Sequence, residues 1–232
     1  MGAHVDVVSD AIRGALAPGI AFAGGRIEDA LEPLFASEQS AVRRAVAKRR
    51  DEFTAGRTYA RRALAALGVA VDAIPVGERR APVWPRGAVG SISHCERYCA
   101  AVAARRDEFA GIGLDVELDD ALDAELISSV CSPGELNARV RGSADVPKLI
   151  FCIKESVYKA YFPLARTYLE FHDVALDVGD GIFAARLTRD ALPPAAGRRR
   201  FAGGFAHAGG VVAAWTAIAE RAVTEPRFAS GA

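Results

Sequence analysis

A short acidic stretch, Gly111-Ile112-Gly113-Leu114-Asp115-Val116-Glu117, is the first candidate for chemistry. Side chains alternate between the two faces of a strand, so Asp115 and Glu117 would point the same way while the apolar residues face a core. Two carboxylates on one face repel each other. A hard cation removes that cost, and Mg²⁺ is commonly held by one or two protein carboxylates together with substrate phosphates. The alternative interpretation is a strand end with exposed acids. The glycine pattern lacks a third glycine and a following helix, so it is not a dinucleotide-binding fingerprint.

A second candidate lies on a predicted helix with the sequence Phe151-Cys152-Ile153-Lys154-Glu155-Ser156-Val157-Tyr158-Lys159. Glu155 and Lys159 are four residues apart and share one helical face. They could form an ordinary surface ion pair, or they could supply a third carboxylate for a metal and an ammonium group for a phosphate. Lys154 lies on a neighbouring face of the same helix.

Ser93 and His94 end a predicted strand and begin a turn, where a hydroxyl and an imidazole can reach a bound anion. A zinc site using His94 and its neighbouring cysteines is the weaker alternative, because no fourth ligand stands at a familiar spacing. Guanidinium groups bind phosphate bidentately, although basic runs more often cover solvated helix faces. The basic residues that precede this strand are Lys48, Arg49, Arg50, Arg57, Arg61, Arg62, Arg79 and Arg80.

Hydrophobic periodicity predicts the helices that would position these residues. One helix is expected over Glu38–Gly68, with a break near Gly56 and a left-handed stop at Gly68. Another is expected over Val146–Phe162, with Pro163 ending it. A Ser-Pro-Gly-Glu sequence beginning at Ser132 has the pattern of a further helix start.

Short apolar runs predict strands between residues 88 and 117, and again between 171 and 218. The order helix, strands, helix, strands predicts an α+β fold of two similar halves, each a helix packed on an antiparallel sheet. We expect residues 1–112 to form the first half and 113–232 the second, with the active site in the cleft between them.

Composition narrows the class of protein. The chain has 232 residues, of which 51% are hydrophobic, and this suffices for a sizeable core. Its 29 basic and 29 acidic residues balance, which argues against a general nucleic-acid-binding protein. The sequence has no run of 18 apolar residues, so no membrane-spanning helix is expected. The N-terminal segment is a poor match to a signal peptide, and the spacing of the four cysteines matches no disulfide framework. Together these features predict a cytoplasmic protein with reduced thiols.

Together, in this order, the motifs resemble those of the 4′-phosphopantetheinyl transferase superfamily, specifically its Sfp/EntD-type group with PptT-like members. The resemblance runs from Arg43 to Pro163. Its specific parts are the basic helix Lys48–Gly68, the segment Trp84–His94, the G-x-D-x-E motif at Gly113–Glu117 and the K-E-x3-K motif at Lys154–Lys159.

The resemblance implies two pseudosymmetric α+β halves with coenzyme A in the cleft between them. It implies that Asp115, Glu117 and Glu155 bind Mg²⁺, with Mn²⁺ as an alternative ion. Lys159 matches a lysine that contacts the coenzyme pyrophosphate. Asp115, Glu155 and Lys159 are therefore the expected catalytic residues.

The remaining implied roles concern the coenzyme. Ser93 and His94 match residues that hold its phosphates, with His94 at the 3′-phosphate. Other side chains implied near the coenzyme are Arg49, Arg57, Arg79, which stands where relatives often have lysine, and Lys154.

The implied reaction moves the 4′-phosphopantetheine group of coenzyme A to a serine of an acyl or peptidyl carrier protein and releases 3′,5′-ADP. Glu155 is the expected base, directly or through a water. The alternatives are a noncatalytic coenzyme A-binding or nucleotide-binding protein and a metal-dependent phosphohydrolase on the same fold.

The carrier is expected to dock around Leu122–Val146. We expect a monomer with no nucleic-acid or membrane partner. The group resembled suggests secondary metabolism or siderophore biosynthesis.

Overall fold

The computed structural model describes residues 2–70, 72–138, 140 and 145–220, with side chains from residue 7 onward. Its helices are α1 (Gly2–Ala15), α2 (Ala36–Gln39), α3 (Ala47–Ala66), α4 (Ala124–Val130) and α5 (Val146–Ala165). Its strands are β1 (Ile20–Arg26), β2 (Ala88–His94), β3 (Tyr98–Arg105), β4 (Phe109–Leu118), β5 (Val174–Val178), β6 (Ile182–Leu187), β7 (Arg200–Ala208) and β8 (Val211–Ala219).

The strands form two antiparallel sheets. One has three strands in the order β1-β3-β2, and the other has five in the order β4-β8-β7-β6-β5. Helix α3 packs on the first sheet and α5 on the second. The predicted α+β fold, a helix on an antiparallel sheet in each half, is therefore confirmed.

Small side chains bring α3 onto the three-stranded sheet. Ala55, Ala60 and Ala63 of the helix share a buried cluster with alanines of β3. A Cβ on Gly56 would lie 2.9 Å from Ile92 Cγ2, so this glycine serves close packing. The predicted break near Gly56 is wrong, because α3 is continuous there. The predicted stop at Gly68 is confirmed, since its φ is +67°.

Helix α5 has an apolar face that fills the core of the five-stranded sheet, including Leu149, Ile153 and Val157. Its start is capped by Asp145, whose carboxylate accepts a hydrogen bond of 2.9 Å from the amide of Lys148. The helix continues past Pro163 to Ala165, slightly beyond the predicted end.

The helix predicted to start at Ser132 is wrong. An α-helix, α4, precedes that residue, and only a 3-10 turn at Glu135–Asn137 follows it. Glu135 does reach back to accept a hydrogen bond of 2.8 Å from the Ser132 amide, as a capping acid would. Glu135 also accepts hydrogen bonds from Lys154 Nζ and from the Leu176 amide. The turn ends at Ala138, whose φ of −56° and ψ of 130° are not helical.

The N-terminal α1 joins the two sheets. Its Val8 and Ile12 are buried in one cluster with residues of β3, β4 and β8. The boundary expected between residues 112 and 113 falls inside β4, which pairs with β8 along its length. The division into halves at that point stays a prediction. Within the described ranges, no helix is both long and apolar enough to cross a membrane.

Candidate active site

The site forms where an edge strand of each sheet meets the other. Strands β2 and β4 are not paired in a ladder, but two serines of β2 connect them. Ser91 donates its hydroxyl to the carbonyl of Leu114 at 3.3 Å, and the Val116 amide donates to Ser93 Oγ at 3.3 Å. The alternating serines therefore satisfy backbone groups on the open edge of β4, next to Asp115.

Asp115 is the centre of the site and is only 3% exposed. Its Oδ1 accepts hydrogen bonds from Lys159 Nζ at 2.6 Å and from Ser93 Oγ at 2.9 Å. Its Oδ2 is buried and has no hydrogen-bond partner among the described residues. One oxygen of the carboxylate is therefore fixed, and the other is buried without a protein hydrogen bond.

Glu117 and Glu155 complete the acidic set. Burial, reinforced by the charge of Asp115, raises the pKa of Glu117 to about 7, and Glu155 adds a smaller effect in the same direction. Burial and the charge of Asp115 also raise the pKa of Glu155. The three carboxylates thus lie close enough to disfavour one another's charge.

Lys159 is the cation of the site. Burial alone would lower the pKa of its ammonium group, but the charge and the hydrogen bond of Asp115 outweigh that effect and raise it. Lys159 also donates to Ser93 Oγ at 3.0 Å. It stays protonated at neutral pH and neutralises one of three carboxylates.

Asp115, Glu117 and Glu155 form a candidate site for a divalent cation. No three His, Cys, Asp or Glu side chains within the described ranges are already arranged around a common point as metal ligands. The chemistry of the donor set still fits Mg²⁺, because all three groups are carboxylates and Asp115 Oδ2 is an unpaired buried oxygen. The charge of Lys148 also reaches Glu117, but Lys148 is paired with Asp120, so the three carboxylates still outnumber the ammonium group of Lys159 and leave a negative excess that a divalent ion would balance.

His94 lies at the end of β2 beside Arg49. Its Nε2 is 3.1 Å from Arg49 Nη1, which is itself 3.4 Å from a carboxylate oxygen of Glu52. A guanidinium can only donate, so His94 Nε2 accepts and the imidazole is neutral. Burial lowers the pKa of His94 against the opposing charge of Glu52, in agreement with a neutral ring.

A basic cavity of about 350 Å³ opens next to this histidine. Arg49, Arg57 and Arg80 line it. Arg57 is nearly buried, donates to the carbonyl of Ile74 at 2.6 Å and lies over the ring of Phe53. Burial lowers its pKa to about 10, so it still carries its charge at neutral pH.

A larger cleft of about 490 Å³ lies between the sheets. Its lining includes the apolar side chains of Trp84, Ile112 and Phe162, and charged side chains that include Glu155 and Lys159. Arg80 lines both this cleft and the basic cavity, so the two spaces adjoin. The arrangement suits an elongated ligand with a charged end and a less polar arm.

Arg79 and Arg80 occupy unusual backbone positions. Both have positive φ, 49° and 65°, which is uncommon outside glycine. Arg79 lines the cleft and lies over the ring of Phe162, whereas Arg80 reaches the basic cavity. The resemblance implied only Arg79 at the coenzyme, whereas Arg80 was expected only as a member of the basic cluster. Two adjacent arginines give no signal of which one faces a ligand until the turn is known.

Lys154 requires a correction. Its ammonium group donates to Glu135 Oε2 at 2.9 Å and to the carbonyl of Val130 at 2.8 Å, and its side chain is 2% exposed. Glu135 in turn accepts from the amides of Ser132 and Leu176. Lys154 is therefore half of a buried ion pair that anchors a loop, and these contacts do not support the expected role at the coenzyme.

Ser93 also differs from expectation, because its hydroxyl faces Asp115 and Lys159. The structure therefore brings together Asp115, Lys159 and Ser93 directly, with Glu117 and Glu155 in electrostatic reach. His94 and Arg49 form a second group. Part of the expected carrier-docking segment Leu122–Val146, residues 139 and 141–144, lies outside the described residues.

Comparison with known proteins gives two family matches. Residues 37–104 match the 4′-phosphopantetheinyl transferase N-terminal domain, and residues 111–208 match the 4′-phosphopantetheinyl transferase superfamily. The chain is 38% identical over 217 residues to 4′-phosphopantetheinyl transferase Svp of Streptomyces mobaraensis, covering 88% of this chain and 87% of that protein.

Two further relatives carry the same description. Identity is 40% over 162 residues to 4′-phosphopantetheinyl transferase Npt of Nocardia iowensis, covering 65% of this chain and 73% of that protein. Identity is 39% over 146 residues to 4′-phosphopantetheinyl transferase PptT of Mycobacterium tuberculosis, covering 59% of this chain and 61% of that protein.

Proposed function

The chain belongs to the 4′-phosphopantetheinyl transferase superfamily, and we propose that Asp115, Glu117, Glu155 and Lys159 carry out its transfer reaction. The protein transfers 4′-phosphopantetheine from coenzyme A to a carrier protein. The observation that carries the assignment of residues is Asp115, a buried carboxylate with one oxygen held by Lys159 and Ser93 and the other unpaired.

Coenzyme A would bind across the two adjoining spaces. The guanidinium groups of Arg49, Arg57 and Arg80 suit the 3′-phosphate end, since arginine binds phosphate bidentately. The neutral imidazole of His94 would support the same end through Arg49. The apolar wall of the cleft suits the pantetheine arm, and Arg79 lies along it.

Asp115, Glu117 and Glu155 would hold Mg²⁺, with Mn²⁺ as an alternative. The bound ion would supply charge neutralisation at the coenzyme pyrophosphate, which phosphoryl transfer needs more than covalent help. The ammonium group of Lys159 would add a positive charge to the same pyrophosphate. Its raised pKa keeps that charge at neutral and mildly basic pH.

Glu155 is the proposed general base. The carrier serine oxygen bonds to the β-phosphorus of coenzyme A, the bond from that phosphorus to the bridging oxygen breaks, and 3′,5′-ADP leaves. The serine proton passes to the Glu155 carboxylate, directly or through a water. The raised pKa of Glu155 favours this role, because a base with a pKa nearer the working pH accepts a proton more readily.

We also propose that the protein is a cytoplasmic monomer that acts on acyl or peptidyl carrier domains and has no nucleic-acid or membrane partner. The balanced charge of 29 basic and 29 acidic residues supports the absence of a nucleic-acid partner. Within the proposed docking segment, α4 packs against the start of α5 through Val130 and Ile150.

The test is mass spectrometry of a purified apo carrier protein after incubation with this protein, coenzyme A and Mg²⁺. The expected result is a gain of one phosphopantetheine mass on the carrier and stoichiometric 3′,5′-ADP, both lost when EDTA replaces Mg²⁺. Coenzyme A consumption without a carrier would indicate a phosphohydrolase. Coenzyme A binding with no turnover on acyl and peptidyl carriers would indicate a noncatalytic binder.

A further inference from the structure

The hydroxyl of Ser93 has no hydrogen-bonding capacity left. It donates its proton to Asp115 Oδ1 at 2.9 Å, and it accepts from Lys159 Nζ at 3.0 Å and from the Val116 amide at 3.3 Å. A hydroxyl offers one donor and two acceptor positions, and all three are occupied. Ser93 is also only 6% exposed, so a phosphate would reach it only after these bonds were broken.

Ser91 provides a natural comparison. It points to the same face of β2, is 4% exposed and also bonds to the β4 backbone, at the Leu114 carbonyl. No hydrogen bond joins Ser91 to Asp115 or Lys159. The two serines therefore share the task of joining the sheets, and only Ser93 adds contacts with charged groups of the site.

From these contacts we infer that Ser93 is a positioning residue that orients the Asp115 carboxylate and the Lys159 ammonium group for the metal. The inference rests on the proposed function, in which Asp115 is a metal ligand. Two donors on Oδ1 fix the rotation of the carboxylate and keep Oδ2 unpaired, as a ligand oxygen must be. Outer-shell partners of this kind commonly set metal affinity.

The position of Ser93 also connects the two sheets to the chemistry. Its backbone belongs to the three-stranded sheet, while Asp115 and Lys159 belong to the five-stranded sheet and its helix. The orientation of the metal-binding acid therefore depends on contact between the two halves. A structural change in the three-stranded sheet can therefore alter the orientation of Asp115 through the Ser93 hydroxyl.

The experiment measures Mn²⁺ binding to the protein without coenzyme A by electron paramagnetic resonance, for the wild type, Ser93→Ala, Ser93→Thr and Ser91→Ala. Binding of 3′,5′-ADP without metal is measured in parallel. We expect Ser93→Ala to weaken Mn²⁺ binding about 10–100-fold and to leave 3′,5′-ADP affinity within about twofold. Threonine retains the hydroxyl and suits a strand, so Ser93→Thr should recover most of the affinity.

Ser91→Ala controls for the loss of one contact between the sheets. It should lower stability about as much as Ser93→Ala while keeping Mn²⁺ affinity. Equal Mn²⁺ affinity in Ser93→Ala and wild type, equal losses in both alanine variants, or no Mn²⁺ binding by the wild type would each overturn the inference. Loss of 3′,5′-ADP affinity alone would instead restore Ser93 as a phosphate ligand. The carrier-labelling assay on the wild type tests the proposed function separately.

Discussion

Gly113 on β4 lies directly against Ser156 on α5, so that a Cβ on Gly113 would stand 1.9 Å from the Ser156 carbonyl oxygen. The same Cβ on Gly113 would lie 2.7 Å from the Ala160 amide nitrogen. The helix therefore packs on the bare backbone of the strand. This close approach sets the distance between Asp115, two residues along β4, and Lys159 on α5.

Gly113→Ala should push α5 away from β4. Because the clash is with backbone atoms, we expect a loss of about 3 kcal/mol or more in the free energy of unfolding, at the upper end of overpacking effects. Transfer by the protein that remains folded should also fall. Urea unfolding checks the first result. Gly134→Ala is the control, since no atom lies within 4 Å of its Cβ position and its φ is −68°. Equal stability of the two variants would contradict this packing.

Asp115→Asn should lower transfer by at least about 100-fold, because the loss of a direct ligand should exceed the loss of an outer-shell partner. The variant should also lose any increase in Tm on adding Mg²⁺. The matched control is Asp177→Asn, an exposed strand aspartate of the same sheet. Transfer by Asp115→Asn above a few per cent of the wild-type rate would remove Asp115 from the metal site.

Glu117→Gln should stabilise the protein without metal at pH 8 but not at pH 5. The folded-state pKa of Glu117 is about 7, above its ordinary value of 4.5. Between these values the folded state holds more protons than the unfolded state, so this group makes stability fall as pH rises. Above about pH 7 the full destabilisation is present, and glutamine removes it.

Urea midpoints at the two pH values, measured in EDTA, check this prediction. Adding Mg²⁺ at pH 8 should reverse the order, since the ion stabilises only the wild type. Glu96→Gln, on an exposed turn, is the control and should show no such crossover. A midpoint difference between Glu117→Gln and wild type that is the same at pH 5 and pH 8 would contradict the raised pKa.

Much of this site follows from local patterns. The two acids of β4 share a face because strands alternate, and α5 is predictable because its apolar residues recur at helical spacing. Contacts between distant segments were not predictable. Glu135 lies 19 residues from Lys154 and meets it only because an irregular loop folds back onto α5. Ser93 and Asp115 meet only because the edges of two separate sheets come together. Arg80 reaches the basic cavity only because Arg79 and Arg80 both have left-handed backbone conformations.

Lys154→Met should cost about 3–5 kcal/mol of stability, because it leaves Glu135 buried without its cation. The double variant Glu135→Gln with Lys154→Met should regain part of that loss, since glutamine brings no charge. In both variants the KM for coenzyme A of the folded protein should stay within about twofold of wild type, if Lys154 is structural.

Lys148→Met is the matched control on the same helix. Its partner Asp120 is 60% exposed, so loss of this pair should change stability by no more than about 1 kcal/mol. Urea unfolding and steady-state kinetics with varied coenzyme A separate the two roles. A tenfold rise in the KM for coenzyme A with little loss of stability would return Lys154 to the coenzyme site.

His94→Ala should raise the KM for coenzyme A about tenfold, equivalent to about 1.4 kcal/mol, and leave kcat within about twofold. The imidazole accepts a hydrogen bond from Arg49, so its loss frees a guanidinium that would otherwise face the 3′-phosphate. The KM for 3′-dephospho-coenzyme A should hardly change, because that substrate lacks the phosphate concerned. The lowered pKa keeps His94 neutral, so the effect should be the same at pH 7 and pH 8.

Steady-state kinetics with both coenzymes, at saturating apo carrier and Mg²⁺, measure this difference. His172→Ala is the control, because His172 is exposed and lines neither the basic cavity nor the cleft. Equal losses with coenzyme A and 3′-dephospho-coenzyme A would move His94 away from the 3′-phosphate. A large fall in kcat with an unchanged KM would instead indicate that His94 acts in the transfer step, through its effect on Lys159 or Asp115.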